Sequence, residues 1–205
     1  MNRSERRRAG PAAAAKPVDR RRIILYVTLA VIALLIVAGI FWGSRTPQVA
    51  SQAPDIAQIK VGQDAPAFSV ASTGGPRSVP NTEKKPVFLE VFATWCPHCQ
   101  HETSIINALY QKYGGKVTFV AVSGSPYAMD EKAPESQADV AAFVDRFKAH
   151  YPIAFDPDLK VSKEYLQGGF PTIVVIGRDN KIRSIRDGEI PQETLAKDID
   201  DALKA

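Results

Sequence analysis

The stretch Val87–Cys99, VFLEVFATWCPHC, decides how the rest of the chain is read. Its first six residues form an apolar run interrupted by a single acid, Glu90, the pattern of a buried strand. Two cysteines follow, separated by Pro97 and His98. From Cys99 to about Tyr113 the spacing turns helical, with Ile105, Ile106, Leu109 and Tyr110 on a common face and Gly114-Gly115 as the stop. A strand therefore runs into a helix, and the cysteine pair sits at the junction. These are the only 2 cysteines in 205 residues, too close together to staple distant segments, so they read as a local pair.

That junction has chemical consequences. A helix N-terminus presents free backbone N–H groups and the positive end of the helix dipole, which stabilise a thiolate on Cys96 and lower its pKa. His98 adds positive charge or a hydrogen bond. Two thiols at this spacing can close a small disulfide and reopen it, one attacking a substrate's sulfur and the other resolving the mixed disulfide. Thiol–disulfide exchange is the function implied.

Working outward, Val117–Val122 is a second strand, and Ser136–His150 is a helix with Val140, Phe143, Val144 and Phe147 at i, i+3, i+4 and i+7. Ile153–Phe155 reads as a short strand and Leu159–Leu166 as a short helix. Ile173–Ile176 and Lys181–Arg186 are strands joined by a turn at Gly177-Arg178-Asp179-Asn180, and Pro191–Leu203 closes the chain as a helix with Pro191 in its first turn. Strands alternating with helices, then a hairpin and a last helix, specify an α/β domain with a mixed sheet over residues 61–205.

Phe92–Cys99 resembles the active site of the thioredoxin superfamily, and Gly169-Phe170-Pro171-Thr172 resembles its second signature, a cis-proline loop facing the disulfide. With Val61-Gly62-Gln63-Asp64-Ala65-Pro66-Ala67-Phe68 at the start and an extra helix before the proline, residues 61–205 look like the membrane-anchored TlpA/ResA-like branch. The resemblance implies a thioredoxin-like fold, a mixed central sheet flanked by helices. It makes Cys96 the exposed nucleophile and Cys99 the buried resolving thiol. Pro171 becomes a cis-proline that places the backbone of Phe170 where a substrate strand can pair, with Trp95 beside it. Glu90 falls where many members carry a buried acid, whose raised pKa would let it relay a proton to or from Cys99. Glu102 matches an acid of this branch that tunes the pair. The implied partners are cysteine-containing protein substrates and a membrane redox partner that recycles the cysteines; no cofactor and no metal is implied.

Plainer readings stand beside these. Cys96 and Cys99 could be half of a zinc site completed from His98, His101 and His150, or a copper binding or delivery site with His101. His98 could simply be exposed, Glu90 could point outward from an edge strand, and Pro171 could lie in an ordinary trans turn. Trp95 packs whichever function holds, and Glu102 reads as a first-turn acid that favours the helix dipole.

The pair between the cysteines bears on the direction of electron flow. Pro-His occurs in strongly oxidising DsbA-type proteins, at about −120 mV against about −270 mV for thioredoxin. The TlpA/ResA-like frame leans towards reduction of partners such as apocytochrome c, and Glu90 and Glu102, if charged, oppose the thiolate. Oxidation is set slightly ahead, with reduction close behind.

Ahead of the domain, Ile23–Trp42 is twenty residues without a charge, about 30 Å as a helix and enough to span a bilayer. Arg20, Arg21 and Arg22 abut it, which keeps the N-terminus cytoplasmic and the domain extracytoplasmic. Cleavage as a signal peptide near Ser51-Gln52-Ala53, or a twin-arginine export signal, would export the domain equally. Residues 1–22 form a basic tail and 43–60 a spacer rich in Pro, Ser, Gln and Ala. The tail holds eight of the 26 Lys and Arg residues and two of the 22 acids, a surplus of six; with a net charge of +4, the rest of the chain is at −2. The basic balance is thus a topogenic feature and excludes a nucleic-acid-binding role for the domain.

Overall fold

The computed structural model describes residues 20–43 and 59–205. In chain order the elements are α1 (Arg20–Gly43), β1 (Phe68–Ser72), β2 (Gly75–Val79), β3 (Val87–Phe92), α2 (Pro97–Tyr113), β4 (Thr118–Ser123), α3 (Gln137–Phe147), β5 (Ile153–Phe155), α4 (Lys160–Tyr165), β6 (Thr172–Ile176), β7 (Ile182–Asp187) and α5 (Gln192–Lys204). Helix α1 belongs to one unit and everything from β1 onward to a second.

The strands form one sheet in the order β2-β1-β5-β4-β3-β6-β7. β3 pairs parallel with β4 and antiparallel with β6, and β4 pairs parallel with β5. This is the mixed sheet expected. Because β3 is paired on both edges and covered on both faces, all six of its residues are buried, including the acid.

Side-chain alternation divides the strand between two layers. Phe88 and Phe92 join Ile106, Leu109, Phe143, Ile173, Leu195 and Ile199 in a core under α2, α3 and α5. Val87, Leu89 and Val91 join Val120, Val122, Val161, Tyr165 and Val174 in the core on the opposite face, with α4. Glu90 has the parity of Phe88 and Phe92, so its side chain enters the α2 layer.

The N-terminal part of the domain differs from expectation. β1 and β2 form an antiparallel hairpin, Phe68 opposite Val79 and Ser72 opposite Gly75, that the sequence reading does not contain. Both strands are short; exposed and half-buried positions alternate along β1, and β2 is buried only at Val79, so they carry no strong apolar run. Ile59, assigned to the spacer, is buried in the α4-side core. At the last helix, Pro191 is the N-cap rather than a first-turn residue.

Among the described residues no helix is long and apolar enough to cross a membrane. Backbone is described for all of α1, but side chains only at Arg20, Arg21 and 23–37, an uncharged run of about 22 Å against a bilayer core of about 30 Å. Most of the basic tail and of the 43–60 spacer lies outside the described residues.

Candidate active site

Cys96 is the N-cap of α2, with extended backbone (φ −72°, ψ 118°), and Pro97 takes the first helical position, where a missing N–H leaves nothing unpaired. The Cys96 N–H donates to the Ala93 carbonyl at 3.1 Å, and its own carbonyl accepts from Gln100 N at 3.1 Å. Both cysteines are free thiols. The Cys99 thiol donates to Cys96, and although burial opposes ionisation, the backbone N–H groups of Cys99 and His98 and the charge of His98 add to the effect, pulling the Cys96 thiol down to about 6. Burial, the same hydrogen bond and the nearby Glu90 push the Cys99 thiol far above its ordinary value.

The expectation of an exposed nucleophile needs correction: Cys96 is only 4% exposed. Its Sγ lies 3.5 Å from the Phe170 carbonyl, to which the thiol donates. The cis-proline loop therefore lies directly over the sulfur. The Phe170–Pro171 peptide is cis, and the Phe170 ring meets Trp95 edge-on at 5.9 Å. Trp95 is held in turn by its indole N–H, which donates to Ser125 Oγ at 2.8 Å.

Two carboxyls lie beneath the pair. Glu90, 2% exposed, stands opposite Ala121 on one neighbouring strand and Ile173 on the other. Its Oε2 accepts from the Tyr151 hydroxyl at 3.5 Å, and its Oε1 has no partner. Burial, reinforced by repulsion from Glu102, raises its pKa well above the ordinary carboxylate range, and the Tyr151 hydroxyl opposes this.

Glu102 is fully buried and is not the first-turn acid expected, since the first turn of α2 has none. The helix begins at Pro97, two residues earlier than the sequence spacing indicates, which puts Glu102 in the second turn and one turn beyond Cys99. Its Oε2 accepts from the Ile190 N–H at 3.4 Å, and its Oε1 is unpartnered. Burial pushes it up to about 7 against the effect of that N–H, with Glu189 adding repulsion.

His98 is well exposed, its side chain 65% accessible, and its Nδ1 lies 3.3 Å from Glu189 Oε2. His101 Nδ1 lies 3.4 Å from the other oxygen of the same carboxylate. His150 is exposed, and its N–H donates to Asn107 Oδ1 at 2.8 Å, more than two turns along α2 from Cys99. The donor sets considered for zinc and copper are thus not assembled: among the described residues no group of three or more His, Cys, Asp or Glu side chains is placed to hold a metal ion.

Several site residues have no signal in the sequence. Glu135, on the segment before α3, is buried and accepts from Thr94 Oγ1 at 2.8 Å and from Ser123 Oγ. It ties that segment to the turn carrying Cys96. Glu189 and Tyr151 likewise come from connections distant in sequence. A lone acid in a polar loop, or a tyrosine beside a proline, has no pattern that could have pointed to the site.

Residues 60–203 match the Redoxin family. Over 143 residues the chain is 31% identical to thiol-disulfide oxidoreductase ResA of Bacillus cereus, covering 69% of this chain and 78% of that one. It is 28% identical to thioredoxin-like protein YneN of Bacillus subtilis (strain 168), covering 69% and 80%. Among solved structures, a Chlorobium tepidum chain described as a thiol:disulfide interchange protein DsbE superposes with a TM-score of 0.61 at 26% identity, covering 71% of this chain and 99% of that one. StoA from Bacillus subtilis shares the fold, with a TM-score of 0.55 at 23% identity, covering 65% and 96%.

Proposed function

This chain belongs to the Redoxin family, and from that premise we propose that it is a thioredoxin-like thiol–disulfide oxidoreductase that passes the Cys96–Cys99 disulfide to cysteine-containing protein substrates outside the cytoplasm. The observation that carries the reading is the asymmetry of the pair: Cys96 at the start of α2 is held down at about 6, and Cys99 is held high by burial and the nearby Glu90.

In the oxidising direction a substrate thiolate attacks Cys96 Sγ, and the Cys96–Cys99 bond breaks. Cys99 departs with the electron pair and takes a proton, because its thiolate is strongly disfavoured in the buried site. Glu90, protonated well above the usual carboxylate range and acting on Cys99, is the donor at hand, with Glu102 coupled to it. A second substrate thiolate then attacks the substrate sulfur of the mixed disulfide and expels Cys96 as its stabilised thiolate, a good leaving group. Two electrons pass from substrate to the cysteine pair, and a membrane redox partner removes them. The backbone of Phe170, next to the cis Pro171, is placed to pair with the substrate's extended chain, and Trp95 flanks it.

The stabilised Cys96 thiolate supports oxidation, since stabilising the reduced form raises the potential. Equilibration of the purified protein with glutathione tests the direction: a potential above about −220 mV is expected, and one below it overturns the oxidising reading. The membrane-tethered placement is supported by the uncharged run 23–42 behind Arg20–Arg22. Protease added to intact cells or spheroplasts should digest the domain and spare the N-terminal tail; protection of the domain would refute the topology.

A further inference from the structure

Four consecutive residues that no sequence pattern singles out each touch a different part of the site. Asp187 Oδ1 accepts from Thr172 Oγ1 at 2.9 Å, just past the cis-proline. The Gly188 N–H donates to the Pro171 carbonyl at 2.8 Å. The Glu189 carboxylate gives one oxygen to His98 and the other to His101. The Ile190 N–H donates to the buried Glu102. Gly188 has φ +76°, a left-handed conformation that side chains resist, and it turns the chain from the proline loop towards α2. Arg186, one residue before the segment, forks onto Asp198 of α5 at 2.8 and 2.9 Å and anchors its base.

His98 and His101 are three residues apart on α2, so their side chains share a face. A single carboxylate from 88 or more residues away meets both rings. We propose that Glu189 is a positioning residue for the nucleophile: it holds the His98 imidazole at the mouth of the site, so that the field Cys96 experiences is set from the β7–α5 connection. The proposal rests on the reading of Cys96 and Cys99 as an exchange pair and adds to it a residue that acts through His98.

The titratable and charged groups around this point are Cys96, Cys99, His101 and Glu102 from α2, Glu90 from β3 and Glu189 from the connection. Glu189 can act on Cys96 by two routes of opposite sign. Through His98, removing the carboxylate frees the imidazole to swing away from the site, the thiolate loses a partner, and the Cys96 titration moves to higher pH. By direct repulsion, removing it relieves the thiolate, and the titration moves to lower pH. Both imidazoles are exposed and screened by solvent, so the expected movement is about half a pH unit, or about a threefold loss of thiolate below the midpoint.

The test is the pH profile of iodoacetamide alkylation at Cys96, read by mass spectrometry on the full-length reduced protein as wild type, Glu189→Gln, His98→Ala and the double variant. Glu189→Gln should raise the midpoint by about half a pH unit in the wild-type background and leave it unmoved when His98 is alanine. A midpoint that stays put or falls in Glu189→Gln, or one that rises equally in the His98→Ala background, overturns the proposal. Failure of the exchange reading itself looks different: the wild-type protein would not equilibrate its cysteines with glutathione, while its alkylation profile stayed measurable.

Discussion

Replacing Glu102 with glutamine should flatten the pH dependence of stability. The carboxyl has an ordinary value of 4.5 and is pushed to about 7 in the fold by burial. Between those limits the native protein holds a proton that the unfolded chain has released, so stability is full below about pH 4.5 and is lost as pH rises through about 7. A span of about 2.5 pH units at about 1.4 kcal/mol each is about 3 kcal/mol. Residual solvent around the site reduces this, and about 2 kcal/mol is a working figure. Urea unfolding of the reduced protein between pH 4.5 and 8.5 measures it. Glu102→Gln keeps the side-chain length and an acceptor for the Ile190 N–H, and comparing pH values within each protein cancels any constant cost of the amide. Glu90 also loses the repulsion of Glu102, which changes the slope in the same sense. The variant should lose about 2 kcal/mol less than wild type between pH 4.5 and 8.5. Parallel curves for the two proteins would refute the claim that Glu102 is a buried, proton-holding carboxyl.

Three further outcomes are expected. Alkylation of wild-type Cys96 should rise with pH through a midpoint near 6 and level off, while Cys99 stays unreactive across the same range; equal reactivity of the two thiols by peptide mapping would contradict the asymmetry. Phe143→Ala empties a buried position whose ring packs at a tilt against Phe92 at 4.9 Å and Phe147 at 4.8 Å and should cost about 3–5 kcal/mol in denaturant unfolding, and a loss under 1 kcal/mol would refute its place in the core. Gly188→Ala forces a side chain into φ +76° with no atom within 4 Å of the added carbon, so it should cost about 1–2 kcal/mol through backbone conformation alone; an unchanged unfolding midpoint would refute that conformation.

The placement of Glu102 shows how a small boundary error changes a chemical reading. Apolar spacing locates the helical face at Ile105, Ile106 and Leu109 but says little about where the helix begins. Started at Cys99, the helix has Glu102 in its first turn, where an acid is an ordinary dipole partner. Started at Pro97, it has the same residue in the second turn, on the buried face that Cys99 occupies. The hairpin of β1 and β2 escaped notice for a related reason: its strands pair along their length with each other and meet β5 at Ser72 and Thr73, and FSVAS and GPRSV contain too few apolar residues to advertise it.

The chemistry and the architecture around it are local properties of the chain. Two cysteines at the end of an apolar strand and the start of a helix, a proline loop 72 residues on, and the alternation of strand and helix periods are all written in neighbouring residues. What they leave open is the proton affinity of the buried acids, because a pKa depends on which groups come near a side chain and how much water they displace, and around Glu90 and Glu102 those groups arrive from elsewhere in the chain. Phe170 covers Cys96, Tyr151 reaches Glu90, Ile190 reaches Glu102, and Glu189 meets His98. Each contact joins residues 61 or more apart. Only the tertiary structure brings them together, and with them it decides which acids keep their protons, whereas the low pKa of Cys96 comes from Cys99 and His98 beside it.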